Sequence, residues 1–133
     1  MFNLDGKTIL LTGASKGIGA ATLRALVEQG AHVAAHYGAD EASMRRLAAS
    51  LPADRVKTFQ ADFRDNVQVE RLWREAEAWR GRIDVLINNA GVMHWTGGFD
   101  AADDAWDRVW ADTLQVNVLA TARLTRAAVR HFR

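Results

Sequence analysis

The stretch Leu11-Thr12-Gly13-Ala14-Ser15-Lys16-Gly17-Ile18-Gly19 lies where an apolar run ends and a helical pattern begins. Gly13 can adopt backbone angles that are closed to other residues, Gly17 has no side chain to block an approaching phosphate, and Gly19 lets the helix pack closely on the strand. The helix that follows would direct its free N–H groups and the positive end of its dipole at the anion. The stretch therefore predicts a turn that binds a pyrophosphate.

The spacing of these glycines is not that of the two best-known phosphate-binding motifs. It departs from the dinucleotide pattern G-x-G-x-x-G, and it lacks the Gly-Lys-Ser/Thr ending of a P-loop. Nucleotide triphosphate hydrolysis is therefore not favoured. Because glycines also mark ordinary turns and helix ends, this turn has to be judged together with the rest of the chain.

Size and charge narrow the class of protein. A chain of 133 residues, 49% of them hydrophobic and with one proline, has the composition of a single globular domain, which we place at residues 1–133. Lysine and arginine number 17 against 16 acidic residues, and no basic block stands apart from its acidic neighbours. We therefore expect no nucleic-acid partner and no binding to a membrane surface.

Cysteine and histidine usage excludes further chemistry. The chain has no cysteine, which rules out disulfides, thiolate catalysis and cysteine-bound metals within it. The four histidines show no metal-ligand spacing, so we predict no metal site and expect each to be structural or exposed: His32, His36, His94 and His131. The amino end, residues 1–6, lacks a basic region leading into an apolar run, and no stretch approaches about 20 apolar residues. We expect a cytoplasmic protein.

Short apolar runs alternate with helical patterns along the chain. Four runs, at residues 7–12, 32–36, 56–60 and 83–88, predict strands. In the first and the last, apolar residues follow one another directly, as in a parallel strand that is buried on both faces. Helices are predicted at 17–29 and, with Asp40 as the cap, at 40–50. A third follows a capping box of Asp65 and Gln68 and ends before Gly81, and a fourth runs from about Asp103 to the end. This alternation predicts an α/β fold with a parallel sheet and helices on both faces.

Three separate segments fall at the same edge of such a sheet. The glycine turn follows the first strand, Asp62 follows the third, and Asn88 to Gly91 follows the fourth. Ligands of open parallel sheets bind beyond the carboxyl ends of the strands, so we expect these segments to converge on one crevice.

Taken together, Thr-Gly-x-x-x-Gly-x-Gly at 12–19 and Asn-Asn-Ala-Gly at 88–91 resemble the short-chain dehydrogenase/reductase family. The resemblance covers essentially the whole chain, because Asp62 and Asn117 also occupy places where the family has functional residues. It implies a Rossmann-type, doubly wound sheet with strand order 3-2-1-4, and an oxidoreductase that exchanges hydride between an alcohol and a carbonyl.

The resemblance also implies where a nicotinamide dinucleotide would lie. Its pyrophosphate would lie over the glycine turn, with Gly13, Ser15, Lys16, Gly17, Ile18 and Gly19 as cofactor-binding residues. Asp62 would accept a hydrogen bond from the adenine amino group, with Phe63 beside the ring. Asn89, Ala90 and Gly91 would line the path toward the adenosine ribose, and Asn88 would help to fix the sheet. From the residues alone, Asp62 is instead a solvated turn residue.

The end of the second strand bears on which cofactor is used. A carboxylate there favours NAD(H), because it binds both ribose hydroxyls and repels a 2′-phosphate. In the family this acidic residue would match Tyr37, which is neutral, and Lys16 is a suitable cation for the extra phosphate. We therefore predict NADP(H) rather than NAD(H), although Asp40 and Glu41 lie close enough to weaken the argument.

Asn117 interrupts an apolar stripe of the last helix, formed by Trp106, Val109, Trp110, Thr113, Leu114, Leu124 and Ala128. The pattern predicts a buried amide that must find hydrogen-bond partners. The resemblance implies a catalytic role instead, in which this Asn holds a water of the proton relay.

The family's reaction also needs a serine and a Tyr-x-x-x-Lys pair, which would follow the predicted elements. The chain's one tyrosine, Tyr37, has Glu41 four residues later, so we expect a domain that stops before its catalytic segment and is inactive alone. Three interpretations stay open: the cofactor-binding half of a longer oxidoreductase, a non-catalytic dinucleotide-binding module, or a structural fragment that works by association. The expected partners are a small alcohol or carbonyl substrate and either a second copy, through the last helix, or the missing segment.

Overall fold

The computed structural model describes residues 3–133; Met1 and Phe2, which began the amino-terminal stretch considered above, lie outside the described residues. The strands are β1 (Thr8–Leu11), β2 (His32–Tyr37), β3 (Val56–Gln60) and β4 (Val85–Ile87). The helices are α1 (Gly17–Glu28), α2 (Glu41–Ala49), α3 (Asn66–Arg80), α4 (Asp103–Leu114) and α5 (Ala120–Phe132), with the π-helical segment Gln115–Leu119 between the last two.

The four strands form one parallel sheet in the order β3-β2-β1-β4, as predicted. Because neighbouring residues of a strand point to opposite faces, β1 supplies both layers of the core. Leu10 packs with α3 and α5 on one face, whereas Ile9 and Leu11 pack with α1 and α2 on the other. This is the doubly wound α/β arrangement that the alternating pattern predicts.

Local signals place most helix ends correctly. Asp40 caps α2 by accepting from the Ser43 N–H at 3.0 Å, and Gly30 and Gly81 adopt positive φ just after α1 and α3. Asp65 caps α3, but the predicted capping box is wrong. The side-chain Oε1 of Gln68 accepts from the Asp62 N–H at 2.8 Å instead of from the N–H of the cap residue, which ties α3 to the loop that follows β3.

The fourth strand is shorter than predicted. Residues 83–88 were expected to pair, but only Val85–Ile87 form β4. The Ile83 N–H donates to the His131 ring at the end of α5 rather than to a strand. β4 is an edge strand with β1 as its partner within the described sheet, so neighbouring helices compete for the backbone groups at its ends.

The predicted last helix is interrupted, so its apolar residues do not form the single stripe that the sequence predicts. The π-helical segment adds residues to one turn and so rotates α4 relative to α5. The buried positions are Val116, Ala120, Leu124 and Ala128, whereas Trp110 and Leu114 are about half exposed and α4 has no buried residue.

Candidate functional site

The glycine turn lies between β1 and α1 with the backbone that the sequence predicts. Gly13 and Gly17 have φ of +66° and +58°, in the region that favours glycine. A Cβ on Gly19 would overlap the Gly13 carbonyl oxygen and would lie 2.6 Å from the Asn89 amide nitrogen. α1 therefore starts directly against the end of β1. The first N–H groups of α1 have no carbonyl acceptor within the helix.

Thr12 and Asn89 join the glycine turn to the end of β4. The buried Thr12 hydroxyl accepts from the backbone N–H groups of Asn89 and Ala90 at 3.0 and 2.9 Å. The Asn89 side chain donates back to the carbonyl oxygens of Thr12 and Gly13 at 3.1 and 2.9 Å. Asn89, rather than Asn88 as expected, fixes this edge of the sheet, because the Asn88 amide turns away to Thr125 on α5.

A cleft of about 600 Å³ opens along the carboxyl ends of the strands, within the usual size range of small-molecule and cofactor sites. Its walls combine the three segments that were expected to converge: the glycine turn, the loop after β3 and the segment after β4. The predicted residues that line it are Gly13, Ser15, Lys16, Ile18, Gly19, Asp62, Phe63, Asn89, Ala90 and Gly91.

Three predicted residues lie elsewhere. Gly17 and Tyr37 do not contribute to the cleft wall, although Lys16 and Ile18 on either side of Gly17 do. Tyr37 is half-buried and packs against the core beneath α1 and α2. Asn117 does not line the cleft either, but it holds a residue that does.

Asn117 fixes the chain after β4. Its side-chain oxygen accepts from the Val92 N–H and its nitrogen donates to the Val92 carbonyl, both at 2.8 Å. The expectation of hydrogen-bond partners is confirmed. The expectation of burial is wrong, because Asn117 is exposed: the π-helical segment rotates it away from the core face that Val116 and Ala120 occupy.

Asp62 is held by a neighbouring arginine. Its carboxylate accepts from the Arg64 backbone N–H at 2.9 Å and from the Arg64 guanidinium at 2.8 and 3.1 Å. These hydrogen bonds lower the pKa of Asp62, against a smaller opposing effect of burial. Asp62 is thus ionised and fixed in the cleft wall, and Arg64, which the sequence analysis did not single out, lines the cleft beside it.

The acidic residues near the end of β2 are both engaged. The Asp40 carboxylate lines the cleft but accepts from the Ser43 N–H, and this hydrogen bonding lowers its pKa. Glu41 pairs with Arg45 at 2.8 Å on the exposed side of α2. Lys16 lies close enough to Asp40 to contribute to lowering that pKa. The cleft therefore has a cation on the side where the sequence predicts one.

His36 is a second residue of the site whose role the sequence analysis missed. The side chain is 3% exposed, and its ring lies between the glycine turn and the loop after β3. Burial lowers the pKa of His36 to about 4, so that the ring is neutral at pH 7. The signal in the sequence was a polar residue near the end of a strand whose other central residues are Val and Ala, a position where an imidazole must find partners.

A comparison with family models identifies the family of this chain. The model of the short chain dehydrogenase family matches residues 7–133, which include the glycine turn, Asp62 and Asn88 to Gly91. The chain belongs to this family. Membership confirms the resemblance that the sequence motifs suggested.

Several proteins of known sequence or structure are similar to this chain. A "Nodulation protein G" of Rhizobium sp. (strain N33) is 45% identical over 127 residues, covering 95% of this chain and 49% of that protein. A meso-2,3-butanediol dehydrogenase of Serratia marcescens is 41% identical over 105 residues, covering 79% and 41%. A short chain dehydrogenase from Burkholderia cenocepacia J2315, solved in complex with NADP, superposes with a TM-score of 0.86 at 35% identity, covering 98% and 52%.

Two further facts concern the length of the chain relative to these proteins and the character of its helices. The chain spans about half the length of the curated relatives it matches. Among the described residues, 3–133, no helix is long and apolar enough to cross a membrane.

Proposed function

We propose that this chain is the cofactor-binding half of an NADP(H)-dependent oxidoreductase that acts between an alcohol and a carbonyl. The observation that carries the proposal is the single cleft formed by the glycine turn, the Asp62 loop and the segment from Asn89 to Gly91. Its residues fit a dinucleotide. The turn packs closely on the segment after β4, where a Cβ on Gly13 would come within 2.8 Å of the Ala90 Cα. A Cβ on Gly17 would have no atom within 4 Å, so the turn is open to a ligand there.

In this proposal the chain's own residues bind and orient the cofactor. The N–H groups at the start of α1 hold the pyrophosphate, Asp62 accepts from the adenine amino group, and Asn89 keeps the turn and the β4 end together. The bound nicotinamide supplies the hydride chemistry. The tyrosine and lysine that exchange the substrate's proton come from a further segment, since Tyr37 lies on β2 and has no lysine four residues on.

The proposed catalytic role of Asn117 rests on its remaining hydrogen-bonding capacity. Each of its side-chain atoms makes one hydrogen bond to Val92. An amide can donate and accept more than once per atom, so a hydrogen and a lone pair are left for a water of the proton relay. Its exposure gives such a water a path to solvent.

The preference for NADP(H) is supported by the engaged carboxylates. Asp40 already accepts from the Ser43 N–H as a helix cap, and Glu41 is paired with Arg45 and does not line the cleft. Lys16 lines the cleft and can pair with a 2′-phosphate. The Burkholderia cenocepacia structure, which contains NADP, gives the preference independent support from a relative.

Fluorescence titration of this chain with NADPH and with NADH tests the preference. We expect tighter binding of NADPH, and we expect Lys16→Ala to weaken NADPH binding about tenfold, roughly 1.4 kcal/mol, with little effect on NADH. Lys7→Ala is the matched control, because it removes the same charge next to the opposite end of β1. Tighter binding of NADH, or an equal loss for both cofactors in Lys16→Ala, would overturn the NADP(H) assignment.

A further inference from the structure

We infer that His36 is a positioning residue that sets the spacing between the pyrophosphate side and the adenine side of the cleft. The inference rests on the proposed function, since it assigns these two sides to the two parts of a dinucleotide. It assigns His36 no contact with a substrate or with reacting atoms. The ring acts through the two loops that it joins.

The ring is a cross-link between loops that are distant in sequence. Its Nδ1 accepts from the Gly13 N–H at 3.1 Å, and its Nε2 donates to the Ala61 carbonyl at 2.9 Å. Ala61 directly precedes Asp62, and Gly13 opens the glycine turn. Both loops are therefore fixed to one rigid imidazole at the end of β2.

Stacking fixes the orientation of this ring. The Phe63 ring lies parallel to it, with centroids 4.2 Å apart and an interplanar angle of 9°. Phe63 is buried and lines the cleft next to Asp62. The stacked pair holds the loop after β3 through a side chain as well as through the Ala61 carbonyl.

His36 also determines which turn N–H groups remain for a phosphate. Its ring takes the Gly13 N–H, and its backbone carbonyl accepts from the Ala14 N–H at 2.8 Å. The first two amides of the turn are thus used within the protein. The groups left for an anion are those further along the turn and at the start of α1, which is the geometry of a helix N-terminal phosphate site.

These two hydrogen bonds are compatible with only one protonation state and tautomer of the imidazole. A backbone N–H can only donate and a carbonyl can only accept, so Nδ1 must carry the lone pair and Nε2 the proton. Burial, which lowers the pKa of His36 to about 4, keeps this neutral form at pH 7, while the Ala61 carbonyl acts weakly in the opposite direction. A doubly protonated ring would direct its Nδ1–H at the Gly13 N–H.

His32 supplies a matched control at the other end of the same strand. Its Nδ1 is buried and has no hydrogen-bond partner within residues 3–133, and its ring meets Trp79 edge-on, far from the carboxyl ends of the strands. Replacing it by Phe makes the same chemical change as at His36. That change removes no hydrogen bond of the cleft.

The test compares NADPH binding by the wild-type chain, His36→Phe, His36→Asn and His32→Phe. Phe keeps the stacking on Phe63 but loses both hydrogen bonds, whereas the Asn oxygen can still accept from Gly13. We expect His36→Phe to weaken NADPH binding at least tenfold, His36→Asn to recover part of the loss, and His32→Phe to bind like the wild type. Far-UV circular dichroism and urea unfolding establish that each variant is folded.

Nitrogen NMR of the wild-type imidazoles and amide hydrogen exchange give readouts that do not depend on the cofactor. We expect the Nε2–H form of His36 at pH 7 and faster exchange of the Gly13 amide in His36→Phe, with the Ser43 amide of α2 unchanged. A folded His36→Phe chain that binds NADPH like the wild type, or an Nδ1–H ring, would overturn the inference. If His36→Phe fails to fold, His36→Asn and the ring NMR decide. Absence of NADPH binding by the wild type would instead overturn the proposed function.

Discussion

At the scale of single residues, Gly19 shows why the turn is closed to larger side chains. A Cβ there would overlap the Gly13 carbonyl oxygen, and backbone cannot move aside as a flexible side chain can. We expect Gly19→Ala to lower the free energy of unfolding by about 1–3 kcal/mol. Gly38→Ala, whose Cβ would meet nothing within 4 Å, should change it by less than about 1 kcal/mol. Urea unfolding of both variants checks the prediction, and equal effects would contradict it.

The lowered pKa of His36 predicts that the stability of the chain depends on pH. Its pKa is about 4 in the folded chain and 6.5 ordinarily. Between these values the unfolded chain binds a proton that the folded chain does not, so the free energy of unfolding falls as the pH drops from 6.5 toward 4. The loss attributable to His36 is at most roughly 3 kcal/mol, and this contribution is constant above the window.

Urea unfolding at several pH values between 7 and 4 tests this dependence, with His36→Phe as the comparison. We expect a shallower decline in the variant, because it lacks the His36 imidazole. Part of the decline remains, because His32, whose pKa is also lowered, titrates in both chains. The carboxyls of Asp40 and Asp62 have pKa values below the ordinary 3.8, so their losses come at lower pH. Parallel declines in the two chains would show that His36 does not carry the effect.

Residue-level prediction worked where the cause is local. Positive φ at Gly13 and Gly17 and the cap at Asp40 follow from the residue itself and its nearest neighbours. The cross-link through His36 and the exposure of Asn117 depend on which segments meet in three dimensions. A polar residue in an apolar strand indicates that a partner is needed, but not which backbone group provides it.

At the scale of elements, the π-helical segment positions Asn117 against the chain that follows β4. Both amide atoms of Asn117 hold the Val92 backbone. We expect Asn117→Ala to speed hydrogen exchange of the Val92 amide at least tenfold, because the amide loses its acceptor. Thr125→Ala on α5, which removes the hydrogen bond to Asn88, should leave that amide unchanged. Unaltered Val92 exchange in Asn117→Ala would contradict this role.

The elements themselves were predictable because periodicity and end signals are properties of short windows. β3 occupies the predicted residues 56–60, and α3 ends at Arg80, before Gly81, as expected. The π-helical segment was not predictable, because apolar spacing alone assumes a constant 3.6 residues per turn. The shortening of β4 likewise depends on His131, which approaches Ile83 from α5.

Across the whole molecule, the described residues leave the β4 edge of the sheet and an apolar face of the last helices uncovered. β4 is an edge strand with Val85 partly exposed, and Trp110, Leu114 and Val118 are each about half exposed. Free strand edges and apolar helix faces favour association. We propose that a second copy, or a further segment of a longer chain, covers this side.

Analytical ultracentrifugation tests self-association through the last helices. We expect concentration-dependent oligomers for the wild type, and we expect Val118→Glu to weaken association at least tenfold by introducing a charge into that face. Val67→Glu is the control, because Val67 is 70% exposed on α3. Association that survives Val118→Glu, or that Val67→Glu weakens equally, would place the interface elsewhere.

In the proposed function, the cleft at the carboxyl ends of the strands binds a nicotinamide dinucleotide without completing catalysis. Calorimetric titration of this chain with NADPH, followed by incubation of the complex with carbonyl compounds, tests both parts of this proposal. We predict saturable binding at one site per chain and no consumption of NADPH. Absence of saturable binding, or oxidation of NADPH that depends on a carbonyl compound, would contradict the account.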